Sequence, residues 1–199
     1  MLSALTLGAE KDELVLDLCA APGGKSFALA IISSDAADIR SFDIHASKLS
    51  LITSGAQRLG LNSVSVFEGD ASVSNAELIG RADRVLCDVP CSGLGVLSKK
   101  PDLRYKDITM LEALSELQFK ILTTAASYLK AGGELVYSTC TLRKEENEEV
   151  LDAFLSENPD FEAVDFSFGN QRSECGRITL YPHIHGTDGF FISKLRKKK

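Results

Sequence analysis

No window of this sequence approaches the roughly eighteen consecutive apolar residues that a membrane-spanning helix requires, and its first residues lack the basic, apolar, small-residue order of a signal peptide. A cytoplasmic protein with no membrane partner is the expectation. The sequence also has no C-x-x-C pair: its five cysteines, Cys19, Cys87, Cys91, Cys140 and Cys175, are odd in number and scattered. Neither a disulfide framework nor a metal site follows from them, and a thiol oxidoreductase is disfavoured. There is no G-x-G-x-x-G fingerprint, internal repeat, low-complexity tract or linker, so residues 1–199 read as a single domain. Nor is there an excess of basic residues. The net charge of -6 argues mildly against a nucleic-acid partner, because phosphate binding usually appears as a basic surface.

What is present is the ordinary balance of a globular domain, 44% apolar and 25% charged, organised around residues 14–25. Leu14, Val15, Leu16 and Leu18 make a continuous apolar strand suited to burial on both sheet faces. Ala20, Ala21, Gly23 and Gly24 then remove side-chain bulk where the backbone turns, and the amides opening the next helix, with Lys25 among them, favour a nucleotide or nucleoside cofactor. Residues 1–13 resemble the end of a helix whose start is absent, as in a fragment of a longer chain.

The chain continues as a helix at 26–33, a strand at 37–43, a helix at 46–59 closed by Gly60, a strand at 63–67 and a strand at 82–88. Residues 89–106 read as a loop, broken by Pro90, Gly93 and Gly95. Thr109 and Glu112 form a capping box for a long helix whose inner stripe is Leu111, Leu114, Gln118, Ile121, Leu122, Ala125 and Leu129 and which Gly132-Gly133 ends. A strand at 134–139 follows, then a helix capped by Thr141 with Glu145 and Glu146 in its first turn, and strands at 161–166 and 189–195 with a polar loop between them. Alternating strands and helices imply an α/β fold with a mostly parallel sheet covered on both faces.

Ligands of such sheets bind at the carboxyl ends of the strands, which here carry Asp17 to Cys19, Asp43, Asp70, Asp88 to Cys91, and Thr139-Cys140. Asp43 follows Gly23 by about twenty residues, the distance at which an acid reaches the ribose of a nucleoside held by the first turn. Helix capping or solvated loop acids are the alternative for Asp43 and Asp70. Without the dinucleotide fingerprint, a ligand lacking a pyrophosphate, such as S-adenosylmethionine, is favoured. Cys91 and Cys140 each sit just past a strand end, where a thiol is exposed and readily ionised. Two such thiols beside an adenosyl pocket suggest covalent catalysis on an electrophilic ring; Cys19, Cys87 and Cys175 read as small buried or loop thiols, and His183 and His185 as loop residues.

The segments Asp17-Leu18-Cys19-Ala20-Ala21-Pro22-Gly23-Gly24-Lys25, Asp88-Val89-Pro90-Cys91-Ser92-Gly93, Tyr137-Ser138-Thr139-Cys140 and Asp188-Gly189-Phe190-Phe191 resemble, in order and spacing, the RNA cytosine-5 methyltransferases of the NOL/NOP/Sun family. Gly95-Val96 and Lys99-Lys100-Pro101-Asp102 look most like the bacterial Sun/Fmu/RsmB ribosomal-RNA branch. The resemblance implies a Rossmann-like class I methyltransferase with seven strands, the last antiparallel, and S-adenosylmethionine as cofactor. It implies Cys140 as the nucleophile that adds to carbon 6 of cytosine, and Cys91 as the group that assists product release, as a base or by relaying a proton. Cys19, Ala20, Ala21, Pro22, Gly23, Gly24 and Lys25 would form the cofactor turn, Asp43 would meet the ribose, Asp70 the adenine, and Asp88 the methionine end and the base.

The substrate implied is RNA, ribosomal before transfer RNA, with the target base out of its stack and the protein a monomer. Phosphate contacts would come from Lys99, Lys100, Arg104, Lys106 and the tail Lys194, Arg196, Lys197, Lys198 and Lys199, for which a solvated charge run is the alternative. In this family RNA-binding segments precede the catalytic domain. A truncated cofactor- and RNA-binding module, inactive alone, is therefore the competing expectation.

Overall fold

The computed structural model describes residues 1–105 and 109–199 and, at 109–112, the backbone alone, so the expected capping box of Thr109 and Glu112, together with Lys106 and Leu111, lies outside the described side chains. Helix α1 (Leu2–Leu7) precedes strand β1 (Leu14–Asp17), and the chain alternates through α2 (Gly24–Ile32), β2 (Asp38–Asp43), α3 (Ala46–Leu59), β3 (Val64–Glu68) and β4 (Ala82–Asp88). After a loop with two short 3-10 turns come α4 (Thr109–Tyr128), β5 (Leu129–Thr139), a third 3-10 turn and α5 (Glu148–Glu157). The remainder is β6 (Phe161–Ala163), the small hairpin β7 (Ser167–Phe168) and β8 (Gln171–Arg172), β9 (Arg177–Leu180), the single turn α6 (Pro182–His185) and β10 (Phe190–Lys197).

The main sheet runs β3-β2-β1-β4-β5-β10-β6. Strands β1 to β5 are parallel and β10 is antiparallel to β5. Seven strands on this path agree with expectation, and β9 adds an eighth: it pairs with the first half of β10, while β6 takes the second half of the same edge. The polar loop expected between the last two strands thus contains β9, whose Ile178 and Leu180 face Ile192 and Phe190.

Burial on both faces explains the unbroken apolar runs. Val15, Leu86, Val136 and Ile192 point into a core made with α1 and α2, whereas Leu16, Val85, Cys87, Leu135, Tyr137 and Phe191 point into a core made with α4 and α5. Gln118, Ile121, Leu122 and Ala125 form the buried stripe of α4.

Three boundaries differ from expectation, one of them the strand expected at 161–166, which ends at Ala163 where its pairing with β10 stops. Helix α4 stops at Tyr128 rather than at Gly132-Gly133, because Leu129 is fully buried and already pairs with Ala82. The ladder then slips between Ala82 and Arg84, and Gly132, at φ 82°, lies within the resulting bulge. Thr141 does not cap a helix. Glu145 and Glu146 lie in the 3-10 turn Lys144–Glu146, and the acids in the first turn of α5 are Glu148 and Glu149. The side chain of Glu146 is instead drawn into the interior by bonds to the β4 loop and α4.

That β4 loop is anchored at Gly95. Its amide donates to the carbonyl of Cys140 at 2.9 Å, and its carbonyl accepts from the amide of Gly189 at 2.8 Å, so one residue joins the ends of β5 and β10. A Cβ here would fall on the Gly189 carbonyl and within 2.8 Å of the Cys140 carbonyl. Gly95→Ala is therefore expected to cost about 1–3 kcal/mol, seen as a lower urea midpoint at unchanged m-value. Gly24→Ala, with no atom within 4 Å of the new Cβ, should stay within about 0.5 kcal/mol of the parent.

Candidate active site

Strand order reverses between β1 and β4, so the loops leaving these strands diverge and open a crevice at their carboxyl ends. The turn after β1 borders it. Ala20 donates to the Phe42 carbonyl at 2.8 Å, Gly23 stands at φ 107°, and a Cβ on Gly23 would run into the Phe27 ring. Glycine is required there by both backbone and space. Below the turn, Asp17 is fully buried; its Oδ2 accepts from Ser26 Oγ at 2.7 Å, Ser26 accepts from Ser41 at 2.9 Å, and Oδ1 has no close hydrogen-bond partner among the described residues. Burial pushes the Asp17 carboxyl up to about 6.

A cleft of about 310 Å³ extends along this edge, lined by Cys19, Ala21, Asp43, Asp70, Asp88 and Pro90 among others. Asp43 is buried and accepts from the amides of Ala21 at 3.1 Å and His45 at 2.9 Å. It therefore fixes the first turn while keeping further acceptor capacity. Asp70 bonds the amide and hydroxyl of Ser72 through Oδ1 alone, and these bonds hold its carboxyl below the usual range. Asp88 closes the far end, 2.6 Å from Lys25 Nζ and 2.7 Å from Ser138 Oγ. Burial lowers the Lys25 ammonium's proton affinity, but Asp88 outweighs it and the net shift is upward. Of the expected cofactor residues, Ala20, Pro22, Gly23, Gly24 and Lys25 build the turn without lining the cleft. Burial and the surrounding carboxylates of Asp17, Asp88, Asp43 and Asp70 push the Cys19 thiol up.

Cys91 and Cys140 meet beyond Asp88, with their sulfurs 3.2 Å apart. The hydrogen bond from Cys91 pulls Cys140 down to about 7 against the opposing effects of burial and Asp88, with help from its own backbone amide and Lys25. The same bond, then burial, pushes Cys91 up. The two thiols titrate as a coupled pair, and either sulfur can donate in the contact between them. Cys87 is fully buried and Cys175 is exposed.

Lys99 pairs with Asp188 at 2.6 Å on the loop beyond Cys91, where Lys100, Arg104 and Tyr105 are exposed. The basic tail lies elsewhere. Because β10 runs antiparallel to β5, Lys194 and Arg196 reach the opposite sheet edge and pair with Glu134 at 2.8 Å each. His185 Nδ1 accepts from the Tyr181 amide within a surface turn. Among the described residues no His, Cys, Asp or Glu cluster could hold a metal ion, and no helix is long and apolar enough to cross a membrane. Sequence reasoning missed Ile44, His45, Lys48 and Ala71 as cleft walls, although Ile44 and His45 directly follow the acid ending β2. It also missed Glu146 and Asn147, both fully buried beside the cysteine loops.

A family model described as "16S rRNA methyltransferase RsmB/F" matches residues 4–196. The chain is 44% identical to a "Probable ribosomal RNA small subunit methyltransferase B" of Bacillus subtilis, covering 100% of this chain and 46% of the relative. It is 34% identical to the "28S rRNA (cytosine-C(5))-methyltransferase" of Mus musculus, covering 99% and 27% respectively. It thus spans less than half the length of these relatives. Among solved structures, NSun6 from Pyrococcus horikoshii with SFG superposes with TM-score 0.86 at 33% identity, over 99% of this chain and 51% of that one. The turn after β1, the acids ending β2 and β4, and the paired thiols occupy the matched segment, and the chain belongs to the RsmB/F family of 16S rRNA methyltransferases.

Proposed function

We propose that this site methylates carbon 5 of cytosine in small-subunit ribosomal RNA, using S-adenosylmethionine and a covalent adduct of Cys140 with carbon 6. The observation that carries the reading is the 3.2 Å approach of the Cys91 and Cys140 sulfurs beside the Lys25–Asp88 pair. The names of the relatives, ribosomal and cytosine-C(5), support the substrate, and SFG in NSun6, an S-adenosylmethionine analogue, supports the cofactor.

The donor set fits that cofactor. A cleft of about 310 Å³ lies within the roughly 300–1,000 Å³ of small-molecule sites. Asp43 offers spare lone pairs for ribose hydroxyls, Asp70 an unbonded Oδ2 for the adenine amino group, and Asp88 a carboxylate for the methionine end. When bound, S-adenosylmethionine supplies an electrophilic methyl group on a sulfonium. Ile44 and Pro90 provide apolar walls, and the acidic lining favours a cation.

Carbon 5 of cytosine is a poor nucleophile until a thiolate adds to carbon 6. The Cys140 thiolate would form that bond, and the ring electrons displaced towards carbon 5 would take up the methyl group as its bond to the sulfonium sulfur breaks and a neutral thioether leaves. Once the Cys140 sulfur is bonded to carbon its charge is lost, and with it the interaction that kept Cys91 protonated. Cys91 can then release its proton to solvent and either take the proton from carbon 5 directly or relay it through water. Loss of that proton restores the ring double bond and expels Cys140 as thiolate. The base must leave its stack to reach these sulfurs, so unpaired RNA is the substrate form. Lys100 and Arg104, exposed on the loop beyond Cys91, are placed for phosphates, whereas the tail lies at the other sheet edge.

Labelled S-adenosylmethionine and 16S rRNA test the reading. Cys140→Ala should abolish transfer, and Cys91→Ala should accumulate a protein–RNA adduct stable to denaturing electrophoresis; adduct formation by the Cys140 variant would overturn the roles. No transfer by the parent chain, with cofactor binding intact, would leave a cofactor-binding module. Because the Cys140 pKa is depressed to about 7, its thiolate should be present above that pH and be lost as pH falls through it. Iodoacetamide alkylation of Cys140 should follow the same midpoint, and Cys91→Ala should move it up towards the ordinary thiol value of about 8.5. Asp43→Ala should weaken S-adenosylmethionine binding by about 10–100-fold, read by calorimetry, through loss of charge-assisted bonds.

A further inference from the structure

Each cysteine is gripped through both of its sequence neighbours, and the grips belong to one buried polar network. Before Cys91, the Pro90 carbonyl accepts from Gln118 Nε2 at 2.9 Å; after it, the Ser92 amide donates to Glu146 Oε2 at 2.8 Å. Gln118 Nε2 also donates to Glu146 Oε2 at 3.1 Å. Before Cys140, Thr139 Oγ1 donates to Asn147 Oδ1 at 2.5 Å; after it, the Thr141 carbonyl accepts from Asn147 Nδ2 at 3.1 Å. The two cysteine loops are joined directly by the Ser92 and Thr141 hydroxyls at 2.8 Å.

Gln118, Glu146 and Asn147 are all fully buried, and none touches the cleft. Glu146 and Asn147 are consecutive, so one rigid peptide unit serves both loops. Their backbone is held in turn: Tyr137 Oη donates to the Glu146 carbonyl at 2.6 Å, and Asn147 stands at φ -117°, ψ -95°. Among the described residues Gln118 Oε1 and Glu146 Oε1 have no hydrogen-bond partner, Glu146 Oε1 standing 3.8 Å from Arg143 Nε. Apolar residues of the same shape would fill this space with less desolvation, so packing alone does not account for the set. What the polar groups specify, and apolar ones could not, is where the two loops stand relative to each other.

We propose that Gln118, Glu146 and Asn147 are positioning residues that fix the Cys91 and Cys140 loops at the separation their proton sharing requires. The inference rests on the covalent mechanism above for its catalytic meaning, but the positioning itself is measurable without RNA. Diamide takes two electrons and both thiol protons as it is reduced to the hydrazine, and leaves a Cys91–Cys140 disulfide. The rate of closure therefore reports how often the sulfurs meet. In a Cys175→Ser background, which removes the exposed thiol, closure is followed by mass spectrometry alongside the melting temperature and single-turnover methyl transfer to 16S rRNA.

Asn147→Ala and Glu146→Ala should slow closure and methyl transfer by about tenfold to a hundredfold, the effect of misplacing reacting groups by about 1 Å. Affinity for S-adenosylmethionine should be unchanged. Glu146→Gln keeps an acceptor for Ser92 and Gln118 and should remain within about twofold of the parent. Where an alanine variant fails to fold, Gln118→Met, which preserves volume, carries the test and should slow closure without a comparable loss of melting temperature. Variants that melt lower yet close at the parent rate would overturn the proposal, as would slowed closure rescued by none of the conservative changes. If closure slows as expected while the parent never methylates RNA, the positioning stands and the catalytic reading fails.

Discussion

Between β1 and β4 the sheet changes direction of growth, and the two backbones leaving it there must part. That divergence creates the crevice in which the turn at Ala20–Lys25, the acids of β2 and β4 and the paired sulfurs stand together. The parallel strands make the convergence unavoidable, because each delivers its last residue to the same edge. Asp17, Asp43 and Asp88 are strand-terminal residues for that reason. Gly95 adds the antiparallel β10 to the same assembly by holding Cys140 on one side and Gly189 on the other.

The strands up to β4 and helix α3 were legible because their signals are local: runs of Leu and Val that stop at an acid, or apolar residues at helical spacing that stop at Gly60. Asp43, Cys91 and Cys140 were legible because strand ends can be counted. What escaped depended on partners distant in sequence. Leu129 looks like the last residue of a helical stripe, and only pairing with Ala82 makes it a strand residue. β9 holds four residues with a mixed pattern and exists as a strand because the first half of β10 has an open edge. Glu146 reads as a helix-start acid until the amide of Ser92, more than fifty residues earlier, claims it. No spacing rule carries that information.

Charge is distributed differently at the two edges of the sheet. The cleft walls are acidic, at Asp43, Asp70 and Asp88, with Lys25 and Lys48 as nearby cations. Such a lining repels phosphate and suits a cationic cofactor. At the opposite edge, Arg84 contacts Glu13 at 2.6 Å, Glu134 at 3.0 Å and Glu10 at 3.2 Å, and Glu134 also takes Lys194 and Arg196. Lys194, Arg196 and Arg84 hold Glu134 below its usual range, and with the bond from Arg84 Nη1 to the Leu7 carbonyl at 2.7 Å the cluster ties α1, β4, β5 and β10 at their far ends. The net charge of -6 therefore describes neither surface. Basic groups of the tail are largely committed to internal partners, whereas Lys100 and Arg104 are exposed on the loop beyond Cys91.

β10 lies inside the sheet, flanked by β5 on one side and by β6 and β9 on the other. During synthesis, β1 to β5 and both cysteine loops therefore emerge before the strand that completes them. Until Phe190 arrives, the edge of β5 carries unpaired backbone beside apolar Leu135 and Tyr137, and the loop at Gly95 lacks its bond from Gly189. A nascent chain would thus hold the Cys91 loop by its contacts to α4, Cys140 and Glu146 alone, and completion of this edge of the sheet would be among the last events of folding, gated by the closing of a single central strand.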